Sequence, residues 1–510
     1  MPTVTLGAEL SPEDVVAVAR SGAEVAIGRG VEGRMRRSRE VVEGHLATGE
    51  AIYGITTGFG ALAGVRVAPE DLEELQRNLL RSHAAGSGAL LPAEVVRAMM
   101  LLRARSLAAG RSGVRLELVE RFRDLLNANI VPAVPDRGSV GASGDLAQLA
   151  HIGLCLMGEG RVLGADGGTE PAAEALRREG LAPVTLAAKE GLALVNGTEG
   201  MLALGLLALH DAAGLLTQAD VTAAMTIEAA LGTDRPFADD LMALRPHPGQ
   251  ADSAENLRRL LDGSPIIASH RESDHAVQDP YSMRCAPQVH GAARDAHAWA
   301  SEVLGREMAS VVDNPVILED GRVESTGNFH GEPLAQALDL LAIALTSLAG
   351  IAERRTYWIL GIGEQRGLPP FLSPEAGLGS GYMLAQYTQA ALVSESKILA
   401  HPASVDSIPT SGTQEDHVSM GWHGGLKLRE VVAKVGTVVA IEALCAAQAL
   451  DLRAPMEPAA GTGAARSAIR SEIPFLEHDR EVAMDIARAE ALVRAGSLAR
   501  AAGGAVGELR

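Results

Sequence analysis

Helical periodicity runs through most of this 510-residue chain and constrains its fold more than any other feature. Several helical segments are long and apolar on more than one face, which is typical of helices buried inside a large bundle. Strand signals are sparse and do not alternate with helices, so a Rossmann or TIM-barrel architecture is not expected. The sequence predicts an all-α fold with minor short β-hairpins. The long helices are predicted near residues 198–231, 280–310, 333–362, 380–400, 415–451 and 480–496.

Local start and turn signals predict several shorter elements. Ser11 precedes a proline and two acids, which indicates an N-cap, a proline in the first turn and acids at the positive end of the helix dipole. A similar signal at residues 68–71 opens a segment with leucines at helical spacing. Asp320-Gly321 separates the apolar runs 316–318 and 323–325 and predicts a small hairpin. Further helices are predicted near residues 92–109, 115–129 and 145–157, and a further strand at 161–163.

Composition excludes several classes of protein. The 45 lysines and arginines against 64 aspartates and glutamates give a net charge of −19, which provides no overall basic face for nucleic acid or an anionic membrane. Cys155, Cys285 and Cys445 are far apart and lack a CxxC pattern, which predicts a reducing compartment and neither disulfides nor a cysteine-based zinc site. The apolar stretches are expected to be too short to span a bilayer, and residues 1–10 lack a secretory pattern. We therefore expect a soluble, cytoplasmic protein.

The segment Gly141-Ala142-Ser143-Gly144-Asp145-Leu146 indicates unusual chemistry. It can be a loop that caps the following helix, or an anion site at the helix N-terminus, although no P-loop lysine follows the glycines. Its Ala-Ser-Gly order offers a third interpretation. In a tightly bent backbone the amide nitrogen of Gly144 can attack the carbonyl carbon of Ala142, because glycine combines an unhindered nitrogen with backbone freedom. Loss of two waters, the second from the Ser143 hydroxyl, then leaves an electrophilic methylidene-imidazolone.

This segment resembles the signature of the aromatic amino acid ammonia-lyases, which carry a methylidene-imidazolone (MIO) group. The resemblance implies an MIO cofactor formed from Ala142, Ser143 and Gly144, with no dissociable cofactor. It also implies the helical architecture of the aspartase/fumarase-like lyases. Further motifs similar to those of the family lie at residues 53–60, 196–198, 278–285 and 327–330.

The resemblance also implies roles for individual residues. Tyr53 would be the base that removes the β-proton of the substrate. Because tyrosine titrates near about 10, this role requires positive surroundings, which helix N-termini and Arg284 would supply. Arg284 would also bind the substrate carboxylate with its guanidinium fork. Contacts to the MIO ring or to the substrate are implied for Asn196, Tyr281, Gln278 and Phe329.

Three places, residues 82–86, 399–407 and 414–420, are similar to the histidine-specific members of the family. His83 and Glu415 would meet the substrate imidazole, since a carboxylate accepts an N–H bond. Phenylalanine-specific relatives typically carry an amide where Glu415 stands. The implied reaction is elimination of ammonia from L-histidine to give trans-urocanate. Taken singly, a histidine that ends a helix and an acid that opens the predicted helix 415–451 are also explained by the helix dipole.

Other functions stay open at this point. Within the family the chain can be a phenylalanine or tyrosine ammonia-lyase or an MIO aminomutase. Outside it, a helical structural or binding protein that never forms the cofactor is possible. An aspartase-like lyase without MIO is disfavoured, because the sequence has no GSSxMPxKxNP-like loop. His417 and His423 are six residues apart, which is not the spacing of a zinc-binding helix, so no metal is expected.

The expected organisation has two parts. Residues 1–200 would form the N-terminal, MIO-bearing catalytic part, and residues 201–510 the long-helix bundle and oligomerisation part. By resemblance the protein would be a homotetramer whose active sites are shared between subunits. Its expected partner is a small amino acid substrate, without nucleic acid or membrane.

Overall fold

The computed structural model describes residues 3–48, 52–58, 60–62, 64–164, 167–273, 276–361 and 366–510. These residues form many helices and a few short strand pairs, so the predicted all-α fold with minor hairpins is confirmed. Two compact units are present, and the division at residue 200 stays a prediction. The first unit comprises Met1–Leu207, Ser301–Asp339 and Pro402–Leu426, and the second comprises Ala208–Ala300, Leu340–His401 and Lys427–Arg510.

The long helices follow the predicted ranges. The range 280–310 contains two helices rather than one, because a break at Cys285 separates Tyr281–Arg284 from Ala286–Ala309. The predicted helix 333–362 ends at Leu360, and residue 362 lies outside the described residues. The other long helices are Glu199–Ala229, Glu332–Leu360, Met383–Leu399, Gly421–Asp451 and Val482–Arg494.

Capping and burial explain the shorter helices of the first unit. Ser11 Oγ accepts from the Asp14 nitrogen at 3.2 Å, and Asp14 Oδ2 accepts from the Ser11 nitrogen at 2.9 Å. This capping box begins helix Pro12–Ser21 as predicted. Helix Ala93–Ala108 is buried on almost every face and forms the centre of the unit. The remaining helices here are Val31–Thr48, Leu72–His83, Leu116–Asn127, Leu146–Leu156, Ala172–Arg178 and Glu190–Val195.

The strands pair two by two. The predicted hairpin is confirmed as Val316–Ile317 with Val323–Glu324, and the predicted strand Arg161–Leu163 pairs with Thr169–Pro171. Val4–Leu6 and Val25–Ile27 form a parallel pair, with helix Pro12–Ser21 between them in the chain. The expectation that strands and helices do not alternate is therefore wrong at this place. Three-residue strands are too short to show a periodicity of two. The antiparallel pair Ser87–Leu90 and Pro135–Arg137 was not predicted either.

Helix Gly421–Asp451 enters the second unit at Lys427, and its residues 438–450 are all buried. Small apolar side chains and alanines dominate this stretch, so neighbouring helices can approach closely. Further helices of this unit are Asp239–Ala243, Pro248–Leu261, Pro265–Ala268, Ala460–Arg470 and Ser497–Val506.

Among the described residues, helices Glu199–Ala229 and Glu332–Leu360 are long and apolar enough to cross a membrane, by length and composition. The expectation that no apolar stretch reaches this length is therefore wrong. In their most apolar windows, 72% and 56% of the residues are buried inside the protein. Core helices of soluble proteins meet the same criterion, so these two helices are weak evidence for a membrane span.

Candidate active site

A cavity of about 400 Å³ in the first unit brings together residues from several distant motifs. Tyr53, His83, Ser143, Asn196 and Glu415 all line it, and its volume is within the range of small-molecule sites. Among the described residues, no group of three or more His, Cys, Asp or Glu side chains is arranged to hold a metal ion. The apolar part of the wall consists of Ala61, Leu62, Leu75, Leu79, Leu146, Leu192 and Val195.

The glycine-rich loop is tightly bent and is fixed from two sides. Gly144 has a φ of +83°, and a Cβ at this position would lie 2.0 Å from the carbonyl oxygen of Gly197, so glycine is required. The backbone nitrogen of Asp145 donates to the same oxygen at 2.8 Å. On the other side, Ser419 Oγ donates to the carbonyl oxygen of Gly141 at 3.2 Å. The tripeptide of the predicted cyclisation is thus held in a bent backbone, with the Ala142 side chain buried.

A buried carboxyl group anchors the end of this loop. Asp145 Oδ2 accepts from the backbone nitrogen of Met201 at 2.8 Å, and Oδ1 accepts from Ser139 Oγ at 3.0 Å. Burial raises the pKa of Asp145 to about 7, although both hydrogen bonds oppose this rise. The carboxyl group therefore connects the loop to the first turn of helix Glu199–Ala229.

Glu415 lies directly against the serine of the loop. Ser143 Oγ donates to Glu415 Oε1 at 3.2 Å, and Thr410 Oγ1 donates to Glu415 Oε2 at 2.7 Å. The prediction that Glu415 opens a helix is wrong, because the helix begins at Gly421. Residues 410–415 instead close on themselves, with the Thr410 nitrogen donating to the Glu415 carbonyl oxygen at 2.9 Å.

His83 ends helix Leu72–His83, as predicted, and its ring reaches the cavity. Its Nδ1 lies 3.1 Å from Ser82 Oγ. Burial lowers the pKa of His83, and the charge of Glu415 opposes this effect only in part. The imidazole is therefore neutral near neutral pH and can offer one donor and one acceptor.

Tyr53 faces the same cavity from the loop at residues 52–58, while Phe59 of its motif lies outside the described residues. The Gly60 nitrogen donates to Tyr53 Oη at 3.3 Å. Burial raises the pKa of Tyr53, and the negative charges of Glu415 and Asp313 raise it further. This direction is opposite to the lowering that positive surroundings were expected to produce.

Asn196 is 2% exposed and is held by two residues that the sequence analysis did not identify. Its Nδ2 donates to the Asn314 carbonyl oxygen at 2.9 Å and to Asp313 Oδ1 at 3.4 Å. Asn314 also lines the cavity. The one available signal was the polar sequence Asp313-Asn314-Pro315 directly before an apolar strand.

The remaining predicted site residues are not among those that line this cavity. Gln278, Tyr281 and Arg284 belong to the second unit. Tyr281 is 71% exposed, and its ring lies 4.7 Å from the Arg284 guanidinium carbon. Phe329 belongs to the first unit and lies in a turn at residues 328–329. The roles of these four residues stay predictions.

Comparison with known proteins identifies the family. The family model described as aromatic amino acid lyase matches residues 10–471. A histidine ammonia-lyase from Streptomyces coelicolor is 51% identical over 512 residues, covering 100% of both chains. A crystal structure of histidine ammonia-lyase from Trypanosoma cruzi is similar, with a TM-score of 0.91 and 40% identity over 99% of this chain and 96% of that one. Tyrosine aminomutase from Streptomyces globisporus gives a TM-score of 0.94 and 37% identity over 100% of both chains. With the bent Ala-Ser-Gly loop at the cavity wall, these matches show that the chain belongs to the aromatic amino acid lyase family.

Proposed function

We propose that this chain eliminates ammonia from L-histidine to give trans-urocanate. The observation that carries the proposal is the Glu415 carboxylate, 3.2 Å from Ser143 Oγ and in one cavity with His83. An imidazole N–H can donate to Glu415 Oε1, which loses the Ser143 hydroxyl when the loop cyclises, whereas a phenyl ring offers no donor to that oxygen. The identity with relatives named histidine ammonia-lyase supports the same substrate.

The residues present fit the MIO group. Gly144 has no room for a side chain, and the loop is held bent by Gly197 and Ser419, as cyclisation of Ala142 to Gly144 requires. Ser143, whose hydroxyl would leave as water, faces the cavity. Once formed, the group supplies an electrophilic carbon that binds the substrate amine and makes it a better leaving group.

Tyr53 is the proposed base for the β-proton, since its phenol reaches the cavity that holds Ser143. Burial, and then the acids near it, raise the pKa of Tyr53, so a positive charge is needed before it can act. The substrate brings one, because its α-ammonium enters the same cavity. The Gly60 N–H, which donates to Tyr53 Oη, stabilises the phenolate in addition.

The proposed assembly is a cytoplasmic homotetramer with shared active sites. Exposure supports this proposal: Tyr281 is 71% exposed and Gln278 is also exposed in the single chain, whereas residues that contact a substrate are usually enclosed. Arg284 has a buried Nε without a hydrogen-bond partner among the described residues. A second copy that covers these side chains would enclose them. The cysteines Cys155, Cys285 and Cys445 are free, which fits a reducing compartment.

Separate incubations with histidine, phenylalanine and tyrosine test the substrate, with urocanate, cinnamate and coumarate followed by ultraviolet absorbance. Glu415 is half-buried in the free chain and becomes enclosed when substrate fills the cavity. An unpaired buried polar group costs about 1–3 kcal/mol, so histidine should be preferred by about tenfold to a hundredfold in kcat/KM. The Glu415→Gln variant should lose most of this preference while its melting temperature stays close to that of the wild type. Faster formation of cinnamate or coumarate, or of a β-amino acid, would contradict the proposal.

A further inference from the structure

A fully buried ion pair lies next to Asn196. Lys189 Nζ donates to Asp313 Oδ2 at 2.7 Å, and both side chains are completely buried. Asp313 Oδ1 accepts from the Asn314 nitrogen at 2.7 Å and from Asn196 Nδ2 at 3.4 Å. The two oxygens of one carboxylate therefore connect a buried cation to a residue of the cavity wall.

The backbone around this pair is constrained as well. Lys189 has a φ of +75°, which is unfavourable for a residue with a side chain and persists only where the surroundings enforce it. The Asn196 carbonyl oxygen accepts from Arg103 Nη1 at 3.0 Å, so the main chain of Asn196 is also fixed. Asn196 is thus held from both its backbone and its side chain.

These contacts determine the orientation of the Asn196 amide. The Asp313 carboxylate and the Asn314 carbonyl are both acceptors, so the group that faces them must be the NH₂ end. The oxygen end, Oδ1, then faces the other way. It is buried and has no hydrogen-bond partner among the described residues, although Asn196 lines the cavity. An unpaired buried acceptor at a cavity wall indicates a donor on the ligand.

We infer that Lys189 and Asp313 form a positioning pair, which fixes the Asn196 amide so that Oδ1 accepts a hydrogen bond from the α-ammonium of the substrate. This inference rests on the proposed function. L-histidine carries donors on its ammonium and on its imidazole, and the imidazole donor is assigned to Glu415. The ammonium is the donor that remains. Lys189 donates to Asp313 without adding net charge to the site, because the pair is neutral as a whole.

The test compares two ligands that differ only in the amine, L-histidine and imidazolepropionate. Calorimetric titration in the Ser143→Ala background measures binding without turnover. In Lys189→Met/Asp313→Leu, which removes the acceptor without leaving an unpaired charge, the preference for L-histidine over imidazolepropionate should fall about tenfold or more. The matched control, Lys189→Met/Asp313→Asn, keeps an amide oxygen that can face Asn196 Nδ2. Its preference should stay within about threefold of the parent value, since a neutral acceptor suffices to hold the amide.

A second comparison separates positioning from general loss of structure. In a second pair of variants, Asn196→Ala is added to both double variants. The preference for L-histidine over imidazolepropionate should then be the same with leucine as with asparagine at position 313, because a pair that acts through Asn196 has no amide left to position. The inference is overturned if Asp313→Leu leaves the ligand preference unchanged or if both ligands lose affinity equally. It is also overturned if the two variants at position 313 still differ in ligand preference when Asn196 is alanine.

A crystal structure of the Ser143→Ala protein with L-histidine tests the same inference if the double variants do not fold. The ammonium nitrogen should lie within hydrogen-bond distance of the Asn196 amide, and an ammonium placed elsewhere overturns the inference. Formation of urocanate by the wild-type protein is measured separately. Failure of that assay would reject the proposed substrate, whereas the ligand comparison rejects only the positioning pair.

Discussion

Ser143 contacts Glu415 through the hydroxyl that the proposed cyclisation removes, so it has the sharpest test among the single residues. Ser143→Ala removes only one oxygen atom from a loop, so the protein should stay folded. Because the removed hydroxyl is the one that cyclisation requires, the variant should release almost no ammonia. Intact mass spectrometry should find the wild-type chain lighter than its sequence by two waters. Substantial turnover by Ser143→Ala, or an unshifted wild-type mass, would rule out the MIO mechanism.

Tyr53 is the second residue whose role can be isolated. Tyr53→Phe keeps the ring and removes the proton acceptor, so turnover should fall about 10²- to 10⁴-fold, the contribution of general-base catalysis. The ultraviolet absorbance of the MIO group should persist. Tyr357→Phe is a matched control, because Tyr357 is 56% exposed in the second unit. Near-normal turnover by Tyr53→Phe would assign Tyr53 to packing instead.

The sequence analysis identified the residues that line the cavity better than the residues that hold them in place. Tyr53, His83, Ser143, Asn196 and Glu415 were predicted from separate motifs, and the fold places all five around one cavity. The residues behind the wall were missed because their role comes from contacts between distant segments, which leave no local pattern. The rise in the pKa of Tyr53 was missed for the same reason, since burial in the folded chain and then the nearby acids Glu415 and Asp313 cause it.

At the scale of elements, the buried carboxyl group between the glycine-rich loop and helix Glu199–Ala229 makes stability depend on pH. The pKa of Asp145 is raised to about 7 from an ordinary value of 3.8, so the folded state binds this proton more tightly than the unfolded chain does. Its contribution to stability is therefore complete below about pH 3.8 and is lost as the pH rises through about 7.

Asp145→Asn tests this dependence, because an amide of the same shape does not titrate. The melting temperature of the wild type minus that of Asp145→Asn should decrease as the pH rises from 5 to about 7, within the window set by the two pKa values. Differential scanning calorimetry at matched ionic strength gives both values. A difference that stays constant, or that grows with pH, would show that Asp145 is not protonated in the folded protein at pH 5.

Helices were predictable where capping and periodicity agree, as for Pro12–Ser21 and Leu72–His83. Helix Gly421–Asp451 starts six residues later than predicted, because the turn at residues 410–415 uses backbone groups that a helix would need. The parallel strand pair near the N-terminal helix was missed because strands of three residues carry too few positions for a pattern. Element boundaries and very short strands therefore depend on tertiary contacts and could not be predicted from local sequence patterns.

At the scale of the whole molecule, the second unit leaves large apolar side chains exposed on helix Met383–Leu399. Leu384, Tyr387 and Ile398 are each more than half exposed. Exposed apolar groups on one element favour association with another chain. Multi-angle light scattering should find four times the chain mass of 53.0 kDa for the wild type. Leu384→Glu/Ile398→Glu should lower that mass and the activity together; a fully active monomer would contradict shared active sites.

The contacts that bend the glycine-rich loop also have a consequence for biosynthesis. Ser419 and Glu415, which hold Gly141 and Ser143, are separated from them by more than half of the chain. A nascent chain on the ribosome lacks these partners until residues near 420 have emerged and folded back. On the proposed chemistry, the enzyme therefore cannot make its own electrophile early in translation. Fragments released before that point would lack the electrophile, so an incomplete chain would not react with other molecules in the cell.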